Sequence, residues 1–217
     1  MAKKRNKRKK SSGGAPVKLT PQKYIKTRAR KLPFYKCFVN DSWEEGGMAV
    51  IVVARQQGGD KLVVGLYLVD TWCLGLKDTH FHFRMDNYEF ENEFLQNVYR
   101  DEDPEEIDER LAQNLIYGAI EYAEDLGFAP HGGFKLTEYI LDPVGSLEEI
   151  DLEFGKDGVP HYTSGPNDDV NKIMNVLAQN IGMGNFHYTV GSQVFEGEGN
   201  GEDDEDFAED IEFEEAK

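Results

Sequence analysis

The chain has 217 residues, a formal net charge of -17, 12% aromatic residues and two cysteines, Cys37 and Cys73. No stretch approaches the roughly 18 apolar residues needed to span a bilayer, so no membrane partner is expected. Two distant thiols without an apolar leader point to a reducing cytoplasm, with both as small core residues rather than a disulfide.

The charge is segregated along the chain. Residues 1 to 36 carry 14 Lys or Arg and no acid, residues 37 to 195 carry 29 acids and nine bases, and from Glu196 onward there are 12 acids against Lys217 alone. An acidic body repels nucleic acid, so contact with a polyanion falls to the basic segment.

Residues 1 to 17, MAKKRNKRKKSSGGAPV, lack periodicity and read as a disordered basic arm. Thr20 can cap a short helix with Pro21 at its first position and Tyr24, Ile25 and Arg28 at helical spacing; Pro33 should stop it. Strand text follows at Phe34 to Val39, Ala49 to Arg55 and Lys61 to Asp70, the last two joined by QQGGD. Their continuous Val, Ile and Leu predict strands covered on both faces. LGLKDTH reads as a loop and FHFRM as a further strand, with Phe81 and Phe83 on one face.

A helix is expected over Asn87 to Tyr99, with Tyr88, Phe90, Phe94, Leu95 and Val98 as its buried stripe, and Pro104 marks a break after it. IDERLAQNLIYGAIEYAEDLGF repeats Leu111, Leu115, Ala119, Tyr122 and Leu126 at helical spacing, with Gly127 as its cap. Leu136 to Leu141 fits a strand or a helical turn, and IDLEF and VPHYTS flank GKDG as a hairpin. Asp168 or Asp169 should cap a helix through Val170, Ile173, Met174, Leu177 and Ile181, ended by Gly182, with NFHYTV as a last strand. The order predicts one α+β domain over 18–195, a mixed or antiparallel sheet packed by about three helices, followed by a disordered acidic tail over 196–217.

Motifs of catalysis are weak. Asp70 at a strand end, then Lys77, Asp78 and His80 in one loop, resemble the carboxylate and base set of metal-dependent phosphodiester chemistry. The structural reading has Asp70 capping a turn, Trp72 and Leu74 packing inward and Lys77 pairing with Asp78. His80 and His82 share a strand face, yet no third zinc ligand is near. His131, His161 and His187 fit no ligand or nucleophile pattern, and the glycines of HGGF and GMG lie where no phosphate cradle would. No cofactor or metal is expected.

The runs RARKLPFYKCFVN, MAVIVVARQ and GLYLVDTWCLGLKDT, with IYGAIEYAEDLGF and IDLEFGKDGVPHYTSGP, resemble an uncharacterised bacterial protein family across roughly residues 22 to 190. Some of its members carry the cysteine-rich zinc motif also found at the C-terminus of the SecA translocation motor. With two cysteines this chain lacks that motif. The resemblance implies a bacterial cytoplasmic protein and no specific chemistry.

The leading expectation is a non-enzymatic adaptor that binds RNA or the ribosome through Lys3, Lys4, Arg5, Lys7, Arg8, Lys9, Lys10, Arg28, Arg30 and Lys31. Arg28 and Arg30, next to the ordered body, are expected to form a fixed anion-binding face. The alternatives are a hydrolase or nuclease using Asp70, Asp78 and His80 around a metal, and a protein-binding module whose acidic tail mimics nucleic acid for a basic partner.

Overall fold

A computed structural model describes residues 19–191 and the backbone of residues 193–195. Both tails fall outside the described residues. The architecture is α+β. A five-stranded antiparallel sheet has the order β4-β3-β2-β1-β5, with β1 at Phe34–Asn40, β2 at Met48–Gly58, β3 at Lys61–Asp70, β4 at Gly75–Asp86 and β5 at Pro104–Ile107. A smaller sheet joins β6 (His161–Thr163), β7 (His187–Val190) and β8 (Gln193–Phe195), parallel for β6 with β7 and antiparallel for β7 with β8.

The apolar runs of β2 and β3 are explained by cover on both faces. Ala49, Ile51 and Val53 of β2 and Val63, Tyr67 and Val69 of β3 enter one core, while Val52, Ala54, Leu62 and Val64 enter another. The first core is closed by α5 (Glu109–Asp125) through Ala112, Leu115, Ile116 and Ala119, and by Ile25 of α1 (Pro21–Arg28). Leu115 and Ile116 are fully buried, each stabilising by about 2 kcal/mol on apolar area. Asp108 caps α5 by accepting from the Leu111 N–H at 2.7 Å, and Gly127, at φ +96°, ends it as expected.

The second core is closed by the segment after β4. It is not one regular helix: α3 (Asn87–Glu89) leads into a π-helical turn at Phe90–Phe94 and then α4 (Leu95–Val98). Phe90, Leu95 and Tyr99 are buried there, but Tyr88 is 71% exposed rather than part of the stripe. The extra residue of the π turn shifts the helical phase, which a fixed 3.6-residue count misses.

Three further expectations are corrected. LGLKDTH is not a loop but the first half of β4, because every residue from Leu76 to Thr79 has a partner on β3 or lies beside a bulge at Leu68/Val69. The break at Pro104 is the start of β5, an edge strand on β1 in which proline sits first and Glu105 and Glu106 follow. GKDG turns tightly, with Asp157 at φ +53° and Gly158 at +76°, but supports only the Lys156–Val159 bridge. IDLEF cannot run as a strand there, since Phe154 is drawn into a ring stack with Tyr122 and the Gly155 N–H donates to the Thr71 carbonyl at 3.0 Å.

Leu136 to Leu141 resolves as helical turns. α6 (Phe134–Thr137) continues in short turns to Leu141. Carbonyls along this stretch are met by side chains from four elements. Tyr67 Oη donates to Thr137 at 2.9 Å, Arg30 Nη2 to Glu138 and Nε to Leu141 at 3.0 Å each, and Tyr117 Oη to Asp142 at 2.8 Å. Arg55 Nε donates to Ile140, and its Nη2 pairs with the Asp142 carboxylate at 2.9 Å. α7 (Val170–Asn180), capped by Asp169 through the Lys172 N–H, packs Leu177 with Cys73, Leu126, Tyr162 and Phe186 in a third cluster.

Candidate nucleic-acid interface

Thr20 Oγ1 accepts from the Lys23 N–H at 3.3 Å and Pro21 occupies the first turn, which fixes where α1 begins. Ile25 and Ala29 are fully buried, and Tyr24 lies 5.2 Å from the Phe83 ring, so that face of the helix is pinned to β4. Gln22, Lys23, Lys26 and Arg28 are consequently exposed. The helix carries no acid in its first turn and has Lys26 and Arg28 in its last, where cations favour the helix dipole. Arg28 sits 5.7 Å over the Tyr24 ring, and both it and Lys31 are exposed.

Arg30 behaves differently. Besides its two carbonyl bonds it stacks 4.7 Å over the Tyr139 ring, so its guanidinium closes the turn after α6 instead of joining the exposed face. Lys36, the last base of the segment, is paired with Glu91 at 2.9 Å and lies 4.0 Å from Glu106, and the Glu91 bond and charge hold its ammonium above the usual lysine value. The fixed basic face is therefore Lys23, Lys26, Arg28 and Lys31. Lys3, Lys4, Arg5, Lys7, Arg8, Lys9 and Lys10 lie outside the described residues.

Between α1 and α6 is an open cavity of about 390 Å³, reached by Gln22, Lys26, His80 and Lys135, with Phe81 and Leu136 as apolar walls. Its wall contains two ammonium groups and no carboxylate, in a body that is otherwise acidic. Lys135 and Gln22 were not legible as site residues, since only the packing of α1 on α6 brings them together. The one textual signal is a base directly after HGGF.

The carboxylates of the metal reading do not converge as a set. Asp70 is 4% exposed and its Oδ1 accepts from the N–H groups of Trp72 at 3.0 Å and Cys73 at 2.9 Å, so it closes the turn after β3. Burial pushes its carboxyl above the ordinary aspartate value. Asp78 stands on β4, where it meets His80 Nε2 at 3.1 Å and His131 Nδ1 at 3.5 Å. Lys77, the extra residue of the bulge opposite Leu68 and Val69, pairs with Asp168 at 3.1 Å and not with Asp78. Among the described residues, no group of three His, Cys, Asp or Glu is placed to hold a metal ion. No helix among them is long and apolar enough to cross a membrane.

No family model, curated protein or solved structure matches this chain.

Proposed function

We propose that this chain is a non-enzymatic, cytoplasmic adaptor that binds RNA, free or within the ribosome, through residues 1 to 36, with α1 as the ordered end of that segment. The observation that carries the reading is charge placement: 14 bases and no acid lie in residues 1 to 36, against 29 acids in residues 37 to 195. Lys23, Lys26, Arg28 and Lys31 extend the basic text onto a rigid surface, and Lys26 and Lys135 continue it into the cavity beside α6. Each phosphate neutralised there releases condensed counterions, so affinity falls steeply with salt. Cys37 and Cys73 are both free and buried, in keeping with a reducing compartment.

The test is affinity purification of the chain with and without residues 1 to 17, scored for ribosomal RNA and ribosomal proteins. Loss of both on deletion is expected; absence of both from the intact chain would end the reading. With a defined RNA, the triple variant Lys23→Gln, Lys26→Gln, Arg28→Gln should bind more weakly and lose roughly 0.7 to 0.9 of log-log salt slope per base removed.

A further inference from the structure

At the end of the sheet opposite α1, both tryptophans of the chain line one cavity of about 440 Å³. Trp43 begins α2 (Trp43–Gly46), and Trp72 lies in the turn after β3. Gly47, at φ +71°, lies so close under the Trp72 indole that an added Cβ would come within 2.2 Å of it, so that wall is fixed. Around these rings stand Glu44 and Glu45 from α2 and Asp151, Glu153 and Asp157 from the loop before β6. None of the five carboxylates forms an ion pair among the described residues. Lys156 Nζ already sits 5.0 Å over the Trp72 ring, which shows what chemistry the wall accepts: an ammonium on an indole face inside a ring of negative charge.

We propose that this cavity docks the chain's own basic arm, Lys3 to Lys10, whose cations enter beside Lys156 and against Trp43. Charge selects the occupant. The arm holds seven bases within eight positions, the densest cationic run in the sequence, and the cavity offers five carboxylates. Reach permits it. Tyr24 of α1 packs on Phe83, which pairs with Val63 opposite Arg55, while the cavity adjoins Met48 and Asp70 at the other end of the same strands. At ~3.3 Å per residue, Met48 and Arg55 are about 23 Å apart. Extended chain carries Lys10 about 30 Å from Leu19 and Lys3 about 50 Å. The docked arm is withheld from polyanions, so RNA and the cavity compete for the same cations. That consequence rests on the RNA reading, but the docking itself does not.

Trp43 and Trp72 are the two indoles of the chain and both line this cavity, so at a fixed pH above about 7, where His161 beside Trp72 is neutral, indole emission reports on it. In the intact chain, raising NaCl from about 20 mM to about 500 mM screens the contact and should shift the emission. A full-length variant with Lys3, Lys4, Arg5, Lys7, Arg8, Lys9 and Lys10 changed to Gln should show the high-salt spectrum throughout. Identical spectra for the two chains across the salt range would overturn the proposal. Glu44→Gln, Glu45→Gln, Asp157→Asn should abolish the salt response with the native arm; a retained response would also overturn it. A response that grows with protein concentration would place the arm in a second copy and overturn the intramolecular form. If the chain binds RNA, the carboxylate triple should bind it several-fold more tightly at low salt, and unchanged affinity would overturn the competition. If it binds no RNA, the fluorescence outcomes still decide the docking.

Discussion

Arg55 shows how much of this fold hangs on single polar side chains. It is 3% exposed on β2, stacks 4.7 Å over Phe34, donates to the carbonyls of Leu32 and Ile140 and pairs with Asp142. In the sequence it is merely the residue that ends AVIVVAR. Its guanidinium is positioned by contacts with residues as distant as Asp142, so nothing local announces its burial. Arg55→Met fills the space but removes the donor that the Leu32 and Ile140 carbonyls take from it and, among the described residues, leaves the Asp142 carboxylate only the 3.3 Å bond from Gln113 Nε2. It should cost about 3 kcal/mol or more, measured by chemical denaturation. Arg30 teaches the complementary lesson. It was as legible a cation as Arg28, and only the path of residues 138 to 141 assigns it to their carbonyls.

At the level of elements, capped helices were the most legible part. Thr20, Asp169, Gly127 and Gly182 all stand at the ends their chemistry suits, because caps act through the backbone of neighbouring residues. Short strands were less legible: β5 and β8 hold four and three residues and were not read as strands, whereas β6 and β7 lie within VPHYTS and NFHYTV but pair with each other rather than β6 with IDLEF. The β6 and β7 pair carries a pH dependence. His161 is 4% exposed, its Nε2 meets Thr189 Oγ1 at 2.8 Å, and its Nδ1 is buried with no hydrogen-bond partner among the described residues. The ring lies between Trp72 and His187, with Lys156 nearby; burial first, and then the charges of Lys156 and His187, hold its pKa below the ordinary histidine value. A proton therefore binds the unfolded chain more readily, so this stability is complete above about pH 6.5 and is lost as pH falls through the lower folded value. His161→Gln should flatten thermal stability between about pH 7 and pH 5 relative to the native chain, while His82, also held below its ordinary value, leaves a smaller slope.

For the whole molecule, the acid excess between residues 37 and 195 is a load on the compact state, because like charges are brought closer on folding. Screening should relieve it. The melting temperature should rise by about 2 °C or more between about 20 mM and 200 mM NaCl, read by circular dichroism. The α+β class, the two-faced cover of β2 and β3 and the segregation of charge were all determined by the sequence alone, since composition and local periodicity carry them. Tertiary structure decided which cations stay exposed, that Asp70 closes a turn while Asp78 meets His80 and His131, and that both tryptophans share one acidic cavity. Those outcomes depend on strand register and long-range packing, which bring together residues whose separation in the chain bears no relation to their distance in space.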